Sequence, residues 1–99
     1  MMTNEQFLLT LAAEEAVEVA HRAHKAIRFT AAEIQAGQEL SNADRLVIEY
    51  FELSVIMEML EEKGIITVPT DTIVAQIMDE KRTRVEQYAK LSRMLGQIE

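Results

Sequence analysis

The stretch VIEYFELSVIMEML, residues 47–60, decides the fold, because it is helical in rhythm yet carries two acids where only apolar residues belong. Leu46, Leu53, Ile56, Met59 and Leu60 recur at helical spacing and form one apolar stripe. Asp44, Glu58, Glu61 and Glu62 gather on the opposite, polar side, as a surface helix requires. Glu49 and Glu52 do not join them; they fall within the apolar stripe. An unpaired ionised carboxylate there would cost several kcal/mol or more, on the order of the stability of a whole small domain. Ser41 with Asp44 resembles an acidic capping box that opens this helix, and Gly64 is placed to stop it after Lys63.

Outward from this segment, Asn4 is expected to cap a first long helix reaching about Phe29, with Leu9, Ala12, Ala16, Val19, Ala23 and Ile27 on its apolar face. Glu15 and Glu18 lie along the edge of that face, and Arg22 and Lys25 continue the edge one and two turns on. From Thr30 to Asn42 the periodicity loosens around Gly37, although AAEIQ (residues 31–35) can form a turn of helix. The β-branched run Ile65–Val68, followed by Pro69 and lacking any partner strand, reads as an extended linker. Asp71 or Thr70 then caps a third long helix ending near Leu95, before Gly96. Val74, Met78, Val85, Tyr88 and Ser92 share one face of it, and Lys81 fills the gap in that stripe as an inward cation, with Arg84 near the edge. The expected architecture is an all-α antiparallel bundle of three long helices plus a short connecting helix, residues 1–99 forming one domain.

Composition narrows the functional classes. With 48% hydrophobic residues, one Pro and three Gly, the chain is too apolar for disorder and, at 99 residues, too short for a large core. Self-association into a homodimer or homotetramer is therefore expected, and Phe51, beside Val47 and Val55 on the otherwise polar side of its helix, marks a patch for a partner subunit. The absence of Cys removes disulfides, thiolate metal sites and Cys nucleophiles. A net charge of −7 without a basic tract argues against nucleic acid as a partner. MMTNEQFLLT has no basic n-region and no long apolar run, so neither a signal peptide nor a membrane span is expected, and the cytoplasm is the default location.

Two helices that each carry a carboxylate pair at i, i+3 place four hard oxygen donors, Glu15, Glu18, Glu49 and Glu52, on facing surfaces. Converging like charges repel unless a divalent cation sits among them, and all-carboxylate ligation suits Mg²⁺ or Mn²⁺ over Zn²⁺ or Cu²⁺. A di-iron site would need Glu-x-x-His on two helices; Glu18 with His21 has the spacing, whereas Glu52 is followed by Val55. His21 and His24 read as surface residues. The bland alternative is a structural salt network in which Arg22, Lys25 and Lys81 satisfy the glutamates without a ligand.

LAAEEAVEVAHRAHKAIRF (residues 11–29) contains Glu-Glu-x-x-Glu at Glu14, Glu15 and Glu18, and residues 47–60 contain Glu-x-x-acid at Glu49 and Glu52. This pairing resembles the MazG-like all-α nucleoside triphosphate pyrophosphohydrolases, small phage-type members above all, which have counterparts to Lys25–Phe29 and to the segment from Arg84 to Gly96. The resemblance implies a MazG-like four-helix-bundle type completed by dimerisation, and Mg²⁺-dependent hydrolysis of nucleoside triphosphates to monophosphate and pyrophosphate. It also implies metal ligation by Glu15, Glu18, Glu49 and Glu52, with Glu14 and Glu15 catalytic. Contacts to substrate phosphates are implied for Lys81, Lys25, Arg28 and Arg84. Two features depart from the family pattern: Glu52 stands where Asp is usual, and thirty residues separate Glu18 from Glu49, the extra length falling in the Thr30–Asn42 segment, which is expected to shape the nucleotide pocket. The reading from another class is a non-catalytic metal- or nucleotide-binding bundle or oligomerisation protein.

Overall fold

The computed structural model describes residues 1–99 and contains three helices, α1 (Asn4–Phe29), α2 (Asn42–Glu62) and α3 (Asp71–Met94), with no strand. The N-cap of α1 is Thr3 rather than Asn4, because a reciprocal capping box forms: Gln6 N–H donates to Thr3 Oγ1 at 3.1 Å and Thr3 N–H to Gln6 Oε1 at 3.0 Å. Ser41 caps α2 by accepting from Asp44 N–H at 3.1 Å, and Thr70 caps α3. Gly64 stops α2 in the left-handed conformation, φ 72°, with Ile65 N–H returning to Leu60 O at 2.9 Å. Gly96 ends α3 in the same way, Gln97 N–H reaching Ser92 O at 2.8 Å.

The chain divides into two compact units, Met1–Thr67 and Val68–Glu99. In the first, α1 and α2 pack as an αα-hairpin. Its antiparallel sense is visible in the contacts: passing back along α1 from Thr30 to Arg22 to Glu15, the partners on α2 advance from Asn42 to Glu49 to Glu52. The α1 face shielded by this packing is Leu8, Leu11, Ala12, Glu15, Val19, Arg22, Ala23, Ala26 and Phe29, spaced alternately by about three and four residues. Of the expected face, Ala12, Val19 and Ala23 lie in the seam, whereas Leu9, Ala16 and Ile27 do not: Leu9 is 44% and Ile27 80% exposed. Alanines and aliphatic residues nearly encircle α1, so periodicity leaves its rotation open, and the helix is turned so that Leu8, Leu11 and Phe29 also face α2. This choice moves Glu15 and Arg22 from the edge into the middle of the seam. On α2 the seam is Asn42, Leu46, Glu49, Leu53, Ile56 and Leu60, while Met59 and Glu52 lie outside it.

The connection between α1 and α2 holds no helix, so the expected short connecting helix is absent. Its backbone is committed elsewhere. Asn42 N–H donates to Glu33 O and Ala43 N–H to Ala31 O, both at 2.9 Å, and buried Asn42 donates from Nδ2 to Thr30 O at 2.8 Å. Thr30 leaves α1 at φ 74°, ψ 154°, a region that β-branched residues avoid, and a turn follows at Gly37, φ 79°. These bonds tie the loop to the first turn of α2 instead of to a helix of its own.

The second unit is α3 with its flanking segments. No residue of α3 is buried, and Lys81, expected to point inward, is exposed; one helix has nothing within its own unit to bury a face against. No helix in the chain is long and apolar enough to cross a membrane.

Candidate metal centre

Halfway along the hairpin seam, α1 contributes Glu15 and α2 contributes Glu49 and Glu52, and one carboxylate oxygen from each lies within 4.8 Å of the others. Helical spacing puts Glu49 and Glu52 on adjoining faces less than a turn apart, and the antiparallel packing brings Glu15 opposite them. Glu15 and Glu49 are half-buried and Glu52 is exposed at the rim.

The electrostatics of the trio are uncompensated. Glu15 Oε2 is buried without a hydrogen-bond partner. Burial pushes the Glu49 carboxyl above its ordinary 4.5; the neighbouring charges of Glu52 and Glu18 add to the rise, and Arg22 opposes it. Arg22 forms the chain's one ion pair, Nε to Glu49 Oε1 at 3.8 Å, with side chains only 16% and 15% exposed. At that distance it is an ion pair and not a hydrogen bond, and Arg22 Nε remains without an acceptor. Ionised carboxylates at such separations repel by a few kcal/mol per pair at an effective dielectric of about 20. One guanidinium does not balance three carboxylates. A buried, unpartnered carboxylate oxygen beside two more carboxylate oxygens could hold a metal ion, and the donor set is oxygen alone.

Of the four expected ligands the hairpin therefore unites Glu15, Glu49 and Glu52, with Glu18 exposed beside them and felt by Glu49 through its charge. Glu14 is exposed and lines, with Glu18 and Val17, a separate shallow groove of about 290 Å³ on the outside of α1. Lys25 and Arg28 both lie against the ring of Phe29, 5.4 Å and 5.1 Å from its centroid, which holds two cations at the C-terminal end of α1. Lys81 and Arg84 are exposed on α3 in the other unit, and His21 and His24 are exposed on α1.

One neighbouring feature escaped the sequence reading. A groove of about 390 Å³ runs from Gly37–Leu40 along Arg45 and Ile48 to Glu49, so Glu49 belongs to both the carboxylate trio and the groove wall. Arg45 gives no sign of this in sequence, since a single Arg in the first turns of a helix is an ordinary surface residue. Compared with protein families, curated proteins and solved structures, the chain matches none of them.

Proposed function

We propose that the chain is a MazG-like pyrophosphohydrolase that converts (deoxy)nucleoside triphosphates to nucleoside monophosphate and pyrophosphate, acting in the cytoplasm as a homodimer or homotetramer. The observation that carries this reading is the half-buried convergence of Glu15, Glu49 and Glu52 within 4.8 Å, with a buried Glu15 oxygen left unpartnered. Glu15, Glu49 and Glu52, flanked by Glu18, would hold Mg²⁺, with Mn²⁺ as a substitute. Bound there, the ion would neutralise triphosphate charge and lower the pKa of a water.

The remaining work falls to the chain's own groups. Glu15 is half-buried in the seam with its Oε2 unpartnered. It is the group assigned to draw a proton from the attacking water, and Glu14, its neighbour on the solvent side of α1, adds negative charge beside it. Lys25 and Arg28, neither of them in an ion pair, are assigned to the phosphates, whose charge each would offset. The exposed apolar residues Val47, Phe51 and Val55 support self-association, because a chain with only Leu8 and Leu60 as buried apolar side chains has much of its apolar surface still uncovered.

The test is pyrophosphate release from a panel of nucleoside triphosphates with and without Mg²⁺. Turnover that requires the metal supports the reading; no turnover on any of the panel sinks it. The Arg22–Glu49 pair favours a second reading, a non-catalytic bundle with a structural salt network. In that case Glu49→Gln destabilises the fold whether or not Mg²⁺ is present, whereas in the enzyme it abolishes turnover and metal binding and leaves the fold intact.

A further inference from the structure

Arg45 is a cation without a partner. It is half-buried on α2, forms no ion pair, and its guanidinium makes no hydrogen bond within the chain. It lines the groove that ends at Glu49. The two residues are one helical turn apart, about 6 Å along the axis, so Arg45 stands in the groove beside Glu49, the one member of the carboxylate trio that lines it. A partly desolvated guanidinium is matched best by a planar or tetrahedral oxyanion, which it holds bidentately. Glu39 and Glu49 on the same walls disfavour a second free anion and leave Arg45 as the groove's one anion contact.

Beyond Arg45 the groove changes character. Leu40 and Ile48 offer apolar surface, each 43% exposed, and Gln38 offers an amide able both to donate and to accept. Apolar walls with one two-way hydrogen-bonding edge suit a heterocyclic ring, and about 390 Å³ is at the small-molecule end of ligand-site volumes. The loop that carries this wall is tied at its start to α2 through Thr30, Ala31 and Glu33, and Gln38 N–H donates to Gln35 O at 3.0 Å within the turn.

Building on the pyrophosphohydrolase reading, we infer that the nucleotide lies along α2 toward its N-terminal end, with Arg45 clamping a phosphate next to Glu49 and the nucleoside seated against Leu40, Ile48 and Gln38. This gives Arg45 and Gln38 roles in substrate binding and base selection, separate from the metal ligands.

The experiment compares wild type with R45Q, R45K and Q38A in steady-state hydrolysis of purine and pyrimidine triphosphates, with Mn²⁺ binding followed by its EPR signal and folding by circular dichroism melts. Loss of one charge-assisted contact is expected to raise KM about tenfold in R45Q, with kcat changed far less. R45K recovers part of the loss, Q38A alters the KM ratio between purines and pyrimidines, and Mn²⁺ binding and melting match wild type throughout. If wild type turns over triphosphates and R45Q keeps the wild-type KM, the orientation is overturned while the enzyme reading stands. Loss of Mn²⁺ binding or of thermal stability in both R45Q and R45K also overturns it, since Arg45 would then be structural. If wild type releases pyrophosphate from none of the triphosphates, the enzyme reading itself falls and takes the orientation with it.

Discussion

Glu49 is the residue on which charge, burial and position meet. Its carboxyl is held above the usual value by burial and by Glu52 and Glu18, so the ionised form is penalised in the folded chain. For an acid raised in this way the folded state binds more protons than the unfolded state between pH 4.5 and the raised value, and stability falls as pH rises through that window. The metal-free protein should therefore gain stability as pH is lowered from 7 toward 4.5, and Glu49→Gln should remove much of the gain. Urea unfolding of both proteins across that range checks this; a wild type that loses stability relative to the variant as pH falls would contradict it. Mg²⁺ should raise the melting temperature of wild type and leave that of Glu49→Gln unchanged, as differential scanning fluorimetry would show. The acidic trio was legible in sequence because helical phase sets Glu49 apart from Glu58, Glu61 and Glu62. Its membership was not fully legible: Glu18 and Glu52 both reach solvent, and only the hairpin's register decides which oxygens meet.

Among the elements, the Thr30–Ser41 connection is held by a few specific bonds rather than by a core. Asn42 is 1% exposed and its Nδ2 satisfies Thr30 O, so Asn42→Ala should cost about 1–3 kcal/mol by leaving that carbonyl unpaired. Thr30 at φ 74° carries strain that glycine would not, and Thr30→Gly should stabilise by about 1 kcal/mol after glycine's own entropic cost. Denaturant midpoints report both, and a stabilising Asn42→Ala would remove the staple from the account. In the seam itself Leu60, 1% exposed, should cost about 2–5 kcal/mol as Leu60→Ala. Helix ends were readable from Ser41, Gly64 and Gly96, whose chemistry is local. The connection was misread as helical at AAEIQ because its backbone bonds run to α2, twelve residues away for the pair Ala31 and Ala43, and no local propensity encodes them.

Across the whole molecule, apolar surface remains on display: Phe51 is 62%, Val17 65% and Ile27 80% exposed. Isolated apolar residues at a surface are ordinary, but stripes at helical spacing are not. Light scattering after size exclusion should give a mass of two or four times 11.3 kDa, and Phe51→Glu should lower it. A monomer at micromolar concentration would remove the assembly from the proposal. The Tyr50 and Phe51 rings, 5.1 Å apart and edge to face, would then be a surface pair only.

By itself the sequence determined three helices, the cap of α2, the glycine stops of α2 and α3, the absence of strands, and the acids out of place on otherwise apolar faces. These properties follow from periodicity and near-neighbour hydrogen bonds, which a single segment contains. Tertiary structure alone decided how α1 is rotated toward α2, and hence that Glu15 sits in the seam rather than on its edge. It also decided that Arg45 shares a groove with Glu49. Both depend on the packing of two helices against each other and on a loop tied to a distant turn, and neither can be read from the spacing of residues along one helix.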